Sequence, residues 1–159
     1  MTDIQTPPAP AQIQIGLGAQ YIKDFSFENP YAPRIFADLQ APPQLGVTVD
    51  VMTRGLSEGA YESVLKLKVD AKAGDKVVFI AELAYAGVFG LPAHLPEEQI
   101  ALFLLVEAPR LLFPFARAII ANAVREAGFP AVTLQPIDFM SLYAAQRAGV
   151  GAMTAAGAA

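Results

Sequence analysis

Residues 61–86 read YESVLKLKVDAKAGDKVVFIAELAYA, and this stretch decides the fold class. Two strands, Tyr61 to Ala73 and Lys76 to Ala86, flank Ala73-Gly74-Asp75, a short connection of hairpin type. The second strand is apolar on both sides, with Val77, Phe79, Ala81 and Leu83 on one face and Val78 and Ile80 on the other. An apolar residue at successive positions predicts a strand whose sheet is covered on both faces. Glu82 falls on the second face beside Ile80, where a carboxylate needs water or a partner.

Upstream the chain alternates as well. From Ile13 the odd positions are Ile13, Ile15, Leu17, Ala19 and Tyr21, then Phe25 and Phe27 after Lys23, while Gln14, Gln20, Asp24, Ser26 and Glu28 stand between them. Extended backbone then puts Asp24 and Glu28 on one face with the aromatics opposite. A further strand carries Leu45, Val47, Val49 and Val51 on odd positions, and Arg54 to Gly59 supplies loop chemistry.

Downstream the period changes. Pro96-Glu97-Glu98 is a helix start, with proline in the first turn and acids at the positive end of the dipole. Pro109 should break or kink that helix, Pro114 is tolerated near the start of the next, and Gly128 with Pro130 ends it. Asp138 can cap a last short helix through Tyr143 to Arg147. Strands followed by helices predict an α+β domain with an antiparallel sheet. The chain has 159 residues, enough for one domain, placed at 12–147. The proline-rich segment 1–11 and the Ala/Gly segment 148–159 are expected to be disordered. No internal repeat is visible.

Composition narrows the function. Apolar residues make up 54% and charged residues 16%, against about 45–50% and about a quarter in ordinary soluble domains. Something beyond one small core must cover apolar surface: a membrane, an oligomer interface or apolar ligands. The most apolar window, Ile100 to Val124, contains Glu107, Arg110, Arg117, Pro109 and Pro114, which disfavours a membrane span. The opening Met-Thr-Asp-Ile-Gln has neither a basic nor an apolar signal region, so a cytoplasmic location is expected. A net charge of −4 argues against nucleic acid.

Candidate chemistry is thin. There is no cysteine and one histidine, His94, so no metal site and no cofactor is expected. Glu97 and Glu98 read as solvated first-turn residues, and the glycines at 55–59 and 87–90 lack a phosphate-binding context. No catalytic residue is assigned. Phe25, Phe27, Tyr31, Phe36, Phe89, Phe139 and Tyr143 can be core residues or the lining of an exposed groove. A small-molecule carrier or enzyme with an apolar cavity is the alternative, and it needs convergent polar groups that the sequence offers only as scattered acids.

Specific strings carry the reading further. Tyr21-Ile22-Lys23-Asp24-Phe25-Ser26-Phe27-Glu28-Asn29-Pro30, Gly87-Val88-Phe89, Leu112-Phe113-Pro114-Phe115-Ala116-Arg117 and Phe129-Pro130 with Leu134, Pro136, Phe139 and Leu142 resemble, in order, the signatures of the SecB family. The resemblance runs from about Gln12 to Gln146. It implies a SecB-like fold, a four-stranded antiparallel sheet packed with helices, assembled as a homotetrameric dimer of dimers. It also implies an ATP-independent export chaperone that binds unfolded preproteins and hands them to SecA, without entering a membrane. Family positions that meet SecA match here at Asp24, Glu28, Ile80 and Glu82, and any metal of that contact belongs to SecA. Client segments are expected along Leu45, Val47 and Val49 and against Phe139, Leu142 and Tyr143. The proline-broken helix, with Leu104 as a representative position, is expected to join subunits. Two departures stand out: the chain ends in Ala and Gly where many relatives carry an acidic tail, and Phe115 stands where tyrosine is frequent.

Overall fold

A computed structural model describes residues 14–148 and the backbone of Thr154 and Ala155. Four long strands, β1 (Gly16–Glu28), β2 (Gln44–Ser57), β3 (Ala60–Ala73) and β4 (Lys76–Gly90), form an antiparallel sheet in the order β1-β4-β3-β2. The helices are α1 (Ile35–Asp38), α2 (Glu97–Leu102), α3 (Ala108–Glu126) and α4 (Phe139–Arg147), and a π-helical turn, Phe103–Glu107, joins α2 to α3. The expected α+β architecture and the four-stranded antiparallel sheet are therefore present. Within 148–159, Ala148 closes α4 and a two-residue strand, β5 (Thr154–Ala155), pairs with Val47 and Thr48 on the outer edge of β2. The rest of that segment, and 1–11, lie outside the described residues.

One face of the sheet carries the core. Val47, Val49 and Val51 of β2, Leu65, Leu67 and Val69 of β3, and Phe79, Ala81, Leu83 and Phe89 of β4 are buried against Leu112, Phe113, Ala116, Ile120 and Val124 of α3. Those helical positions recur at spacings of three and four, so they form one stripe. Each such Leu or Phe contributes about 1.5–3 kcal/mol by leaving water. By length and composition the helical run Glu97–Glu126 could cross a membrane; here its stripe is spent on the sheet.

Among the described residues no helix or further layer covers the opposite face of the sheet, which corrects the expectation of two covered faces. The apparent two-sidedness of β4 comes from a bulge: Val77 pairs with Lys72 and Phe79 with Ala71, so Val78 is an extra residue, and it turns into the core. Beyond it Ile80, Glu82, Ala84 and Val88 look outward, and Glu82 is exposed.

The expected loop at 54–59 is shorter than its composition suggests. Pairing of Arg54 with Glu62 and Ser57 with Ala60 carries the hairpin on to a two-residue turn at Glu58-Gly59, where Gly59 has φ +75°. Only glycine takes that conformation without strain.

Pro109 does not break the helix. In the π turn the amide of Ala108 bonds Phe103 O, so the next amide in that register would take Leu104 O. Residue 109 is proline and has none to give. Ser63 Oγ donates to Leu104 O at 2.9 Å instead. Leu104, expected to join subunits, is 4% exposed and lies in the subunit's own core.

Candidate functional site

The site is built on the uncovered face by β1, and its geometry depends on two extra residues there. Leu17 pairs with Phe89 but Gln20 with Gly87; Ile22 pairs with Tyr85 but Asp24 with Ala84. Each slip inserts one residue and inverts the alternation. Leu17, Gln20 and Ile22 consequently share the helix-packed side, as do Phe25 and Phe27, which pair with Leu83 and Ala81. Tyr21 points to the uncovered face, opposite Phe25, whereas period two alone put both on one side.

The second slip brings the register back so that Asp24, Ser26 and Glu28 look outward across from Ala84, Glu82 and Ile80. The four residues Asp24, Glu28, Ile80 and Glu82 thus lie in one patch: Glu28 faces Ile80 directly, and Glu82 sits between the two β1 acids. Glu82 accepts Lys68 Nζ at 3.4 Å across to β3, with both side chains half exposed. Asp24 and Glu28 have no ion pair among the described residues. Beside them a shallow cleft of about 250 Å³ runs toward β2, lined by Asp24, Asp50, Lys66, Lys68 and Glu82.

At the end of this face nearer the β2–β3 turn lies a group that sequence reasoning missed. Glu62 of β3 is 3% exposed. It accepts from Tyr21 Oη, from Lys23 Nζ at 2.7 Å, and has Arg54 Nη2 at 3.5 Å. Lys23 and then Tyr21 hold the Glu62 carboxyl below the usual range against the opposing effect of burial, and the Glu62 bond pushes the Tyr21 phenol up. The signal that could have found it is Glu62 at an outward position of a strand whose next outward residue is Val64, both in an apolar setting.

The residues expected to hold clients meet on the other face. Val47 and Val49 are buried, as are Phe139 (1% exposed) and Leu142, while Leu45 and Tyr143 are half-buried at the margin of the same cluster. They belong to one hydrophobic cluster, where four of the six are buried and the other two are half-buried, so they do not form an open groove. Asp138 caps α4, accepting from the Ser141 amide at 3.0 Å and its hydroxyl at 2.7 Å, and Arg147 reaches Glu98 at 3.4 Å. A ladder of rings, Phe27 on Phe79 at 5.4 Å, Phe79 on Phe129 at 5.2 Å and Phe129 on Phe36 at 5.3 Å, leads from this core to an exposed Phe36.

A third apolar area was not assigned residues from sequence. Ile15, just before the edge strand β1, and Leu17 and Ile22 within it are exposed, as are Leu111 and Phe115 of α3, with Phe115 50% exposed and stacked on Tyr85 at 6.3 Å. Its signal was the surplus of apolar residues over what one small core can use.

Residues 8–149 match the family model of preprotein translocase subunit SecB. A protein-export protein SecB of Paramagnetospirillum magneticum is 51% identical over 154 residues, covering 96% of this chain and 97% of the relative. One of Rhodospirillum centenum is 48% identical over 136 residues, covering 86% and 81%. Among solved structures, a SecB-like chaperone of Mycobacterium tuberculosis in complex with an antitoxin-derived peptide superimposes with a TM-score of 0.63 at 12% identity, over 77% of this chain and 87% of that one, a likeness of fold. With a family match that spans residues 14–148 entirely and relatives at about half identity along most of the chain, the chain belongs to the SecB family.

Proposed function

We propose that the chain is an ATP-independent export holdase that keeps preproteins unfolded in the cytoplasm and delivers them to SecA, and that it carries no catalytic step. The observation that carries this reading is the uncovered sheet face, where Asp24 and Glu28 stand unpaired on either side of Glu82 and next to Ile80. A basic partner segment fits acids displayed on a rigid strand pair, with Ile80 supplying apolar contact. One exposed pair contributes only about 0.2–1 kcal/mol. Docking is therefore weak per subunit, sensitive to salt, and strengthened by repetition in a symmetric assembly.

That assembly is a dimer of dimers, for which the exposed apolar residues of β1 and the exposed Leu111 and Phe115 of α3 supply the contact. Client segments bind along Leu45, Val47 and Val49 and against Phe139, Leu142 and Tyr143. Because four of these six are buried, client entry displaces α4. Burial of one client Phe or Leu yields about 1.5–3 kcal/mol, against about 1–2 kcal/mol for each backbone residue ordered. Single contacts remain reversible, and a long unfolded chain gains by engaging several subunits. An apolar-cavity carrier has less support, since Phe79, Leu112 and Ile120 fill the space between sheet and α3.

The test is gel filtration of the chain with an unfolded and a folded form of the same preprotein, followed by titration with SecA. Co-elution with the unfolded form alone, and salt-sensitive SecA binding, support the reading; equal co-elution with the folded form sinks it.

A further inference from the structure

Among the described residues Glu62 is the one charged side chain that is buried, and it draws in more positive charge than it needs. A single ammonium would neutralise it. It holds both Lys23, at 2.7 Å, and Arg54, at 3.5 Å, and takes the Tyr21 hydroxyl as well. The two cations come from strands on either side of β3's outward row: Arg54 is the register partner of Glu62 on β2, and Lys23 is the extra residue that the second β1 slip inserts directly before Asp24. That slip turns the outward-facing Asp24 and the ammonium of Lys23 toward the same side of the sheet, one residue apart. A free ammonium there would be drawn to the Asp24 carboxylate of the next residue. Held by Glu62, it does not, and Asp24 has no ion pair among the described residues.

We propose that Glu62 is a positioning residue for partner docking: by sequestering Lys23 it keeps the Asp24 carboxylate open to a cationic side chain of the partner. The inference rests on the uncovered face being the docking surface for a basic segment of SecA. Glu62 itself, buried beneath Tyr21, Lys23 and Arg54, does not touch the partner.

The test is titration of purified SecA against the full chain and its variants at fixed moderate salt, with thermal melting and light scattering alongside. Glu62→Gln keeps the shape and releases Lys23, so SecA binding should weaken by about two- to fivefold per site, the worth of one exposed pair. Adding Lys23→Met should restore it. Arg34→Gln, which removes a positive charge from the exposed start of α1, should not restore it, although the net charge is the same. Equal restoration by Arg34→Gln means that overall charge alone is read, and the proposal fails. If Glu62→Gln does not assemble, Glu62→Asp carries the test at unchanged net charge: the retracted carboxylate loosens its hold on Lys23, binding falls, and Lys23→Met again restores it. Wild-type affinity in both Glu62 variants, while Asp24→Ala still weakens binding, overturns the role of Glu62 and leaves the docking surface standing. Wild-type affinity in Asp24→Ala removes the docking surface and this inference with it.

Discussion

Ser63 Oγ donates to the carbonyl of Leu104 at 2.9 Å, filling the place of the amide that Pro109 lacks. A helix that would otherwise break at residue 109 continues across the sheet, and its π turn is anchored to β3 at a buried point. Ser63→Ala leaves Leu104 O without a donor and should destabilise the subunit by about 1–3 kcal/mol. Pro109→Ala supplies an amide in the same register, so the double variant should recover most of that loss. Additive effects in denaturant unfolding would show that the bond does not stand in for the amide.

Stability should respond to pH at both ends through Glu62 and Tyr21. The Glu62 pKa is depressed in the folded chain, chiefly by Lys23, so its contribution is present above the unfolded value of about 4.3 and lost as pH falls through the folded one. The Tyr21 pKa is raised, chiefly by its bond to Glu62, so its contribution is present below the unfolded value of about 10 and lost as pH rises through the folded one. Glu62→Gln should flatten both limbs of the unfolding free energy, since it removes the depressed carboxyl and the bond that raises Tyr21, whereas Tyr21→Phe should remove the alkaline contribution and weaken the acid one only in part, because Lys23 still holds Glu62. An acid limb unchanged in Glu62→Gln would assign it to other carboxylates.

Alternation made the four strands legible because period two persists wherever no residue is inserted. It misled at the slips of β1 and at Val78, where one extra residue reverses every side chain beyond it until a second slip or the strand end. Asp24 and Glu28 were placed together correctly because both lie past the last slip; Tyr21 and Phe25 were not, because one slip separates them. The Ser63 bond and the Glu62 cluster were hidden for another reason: each joins residues about 40 apart in sequence, and no local pattern encodes such a meeting.

Subunit contacts should map to the exposed positions of α3. Phe115→Glu or Leu111→Asp puts a charge at an exposed apolar position and should shift light-scattering mass to a smaller, still folded species. Leu104→Asp buries a charge in the subunit core and should unfold the subunit itself. Unchanged mass in Phe115→Glu and Leu111→Asp would move the interface elsewhere.

Client binding should depend on how firmly α4 is seated. Asp138→Ala removes the cap formed with Ser141 and should loosen α4 by about 0.5–2 kcal/mol. Unfolded-client association, followed by stopped-flow fluorescence, should then accelerate. Tyr143→Ala, at the half-buried margin, should weaken client affinity with the assembly intact. A slower association in Asp138→Ala would mean that α4 presents the client site and does not cover it.

The delivery patch yields the most direct measurement. Asp24 and Glu28 lie on one outward row of β1 with Ser26 between them, exposed and without ion pairs among the described residues, so removing them disturbs no packing. Glu82 differs, because Lys68 already shares its charge at 3.4 Å and a partner cation must displace that pair. Asp24→Ala with Glu28→Ala should therefore reduce SecA affinity and flatten its dependence on salt more than Glu82→Ala does. Lys68→Met, which frees Glu82, should raise affinity by about two- to fivefold at low salt. Melting temperature and client binding should stay near wild type in all three variants, since an exposed pair adds little to folding. Should the double variant bind SecA like wild type at low salt, where surface charges act most strongly, the uncovered face is not where SecA docks, even with holdase activity intact.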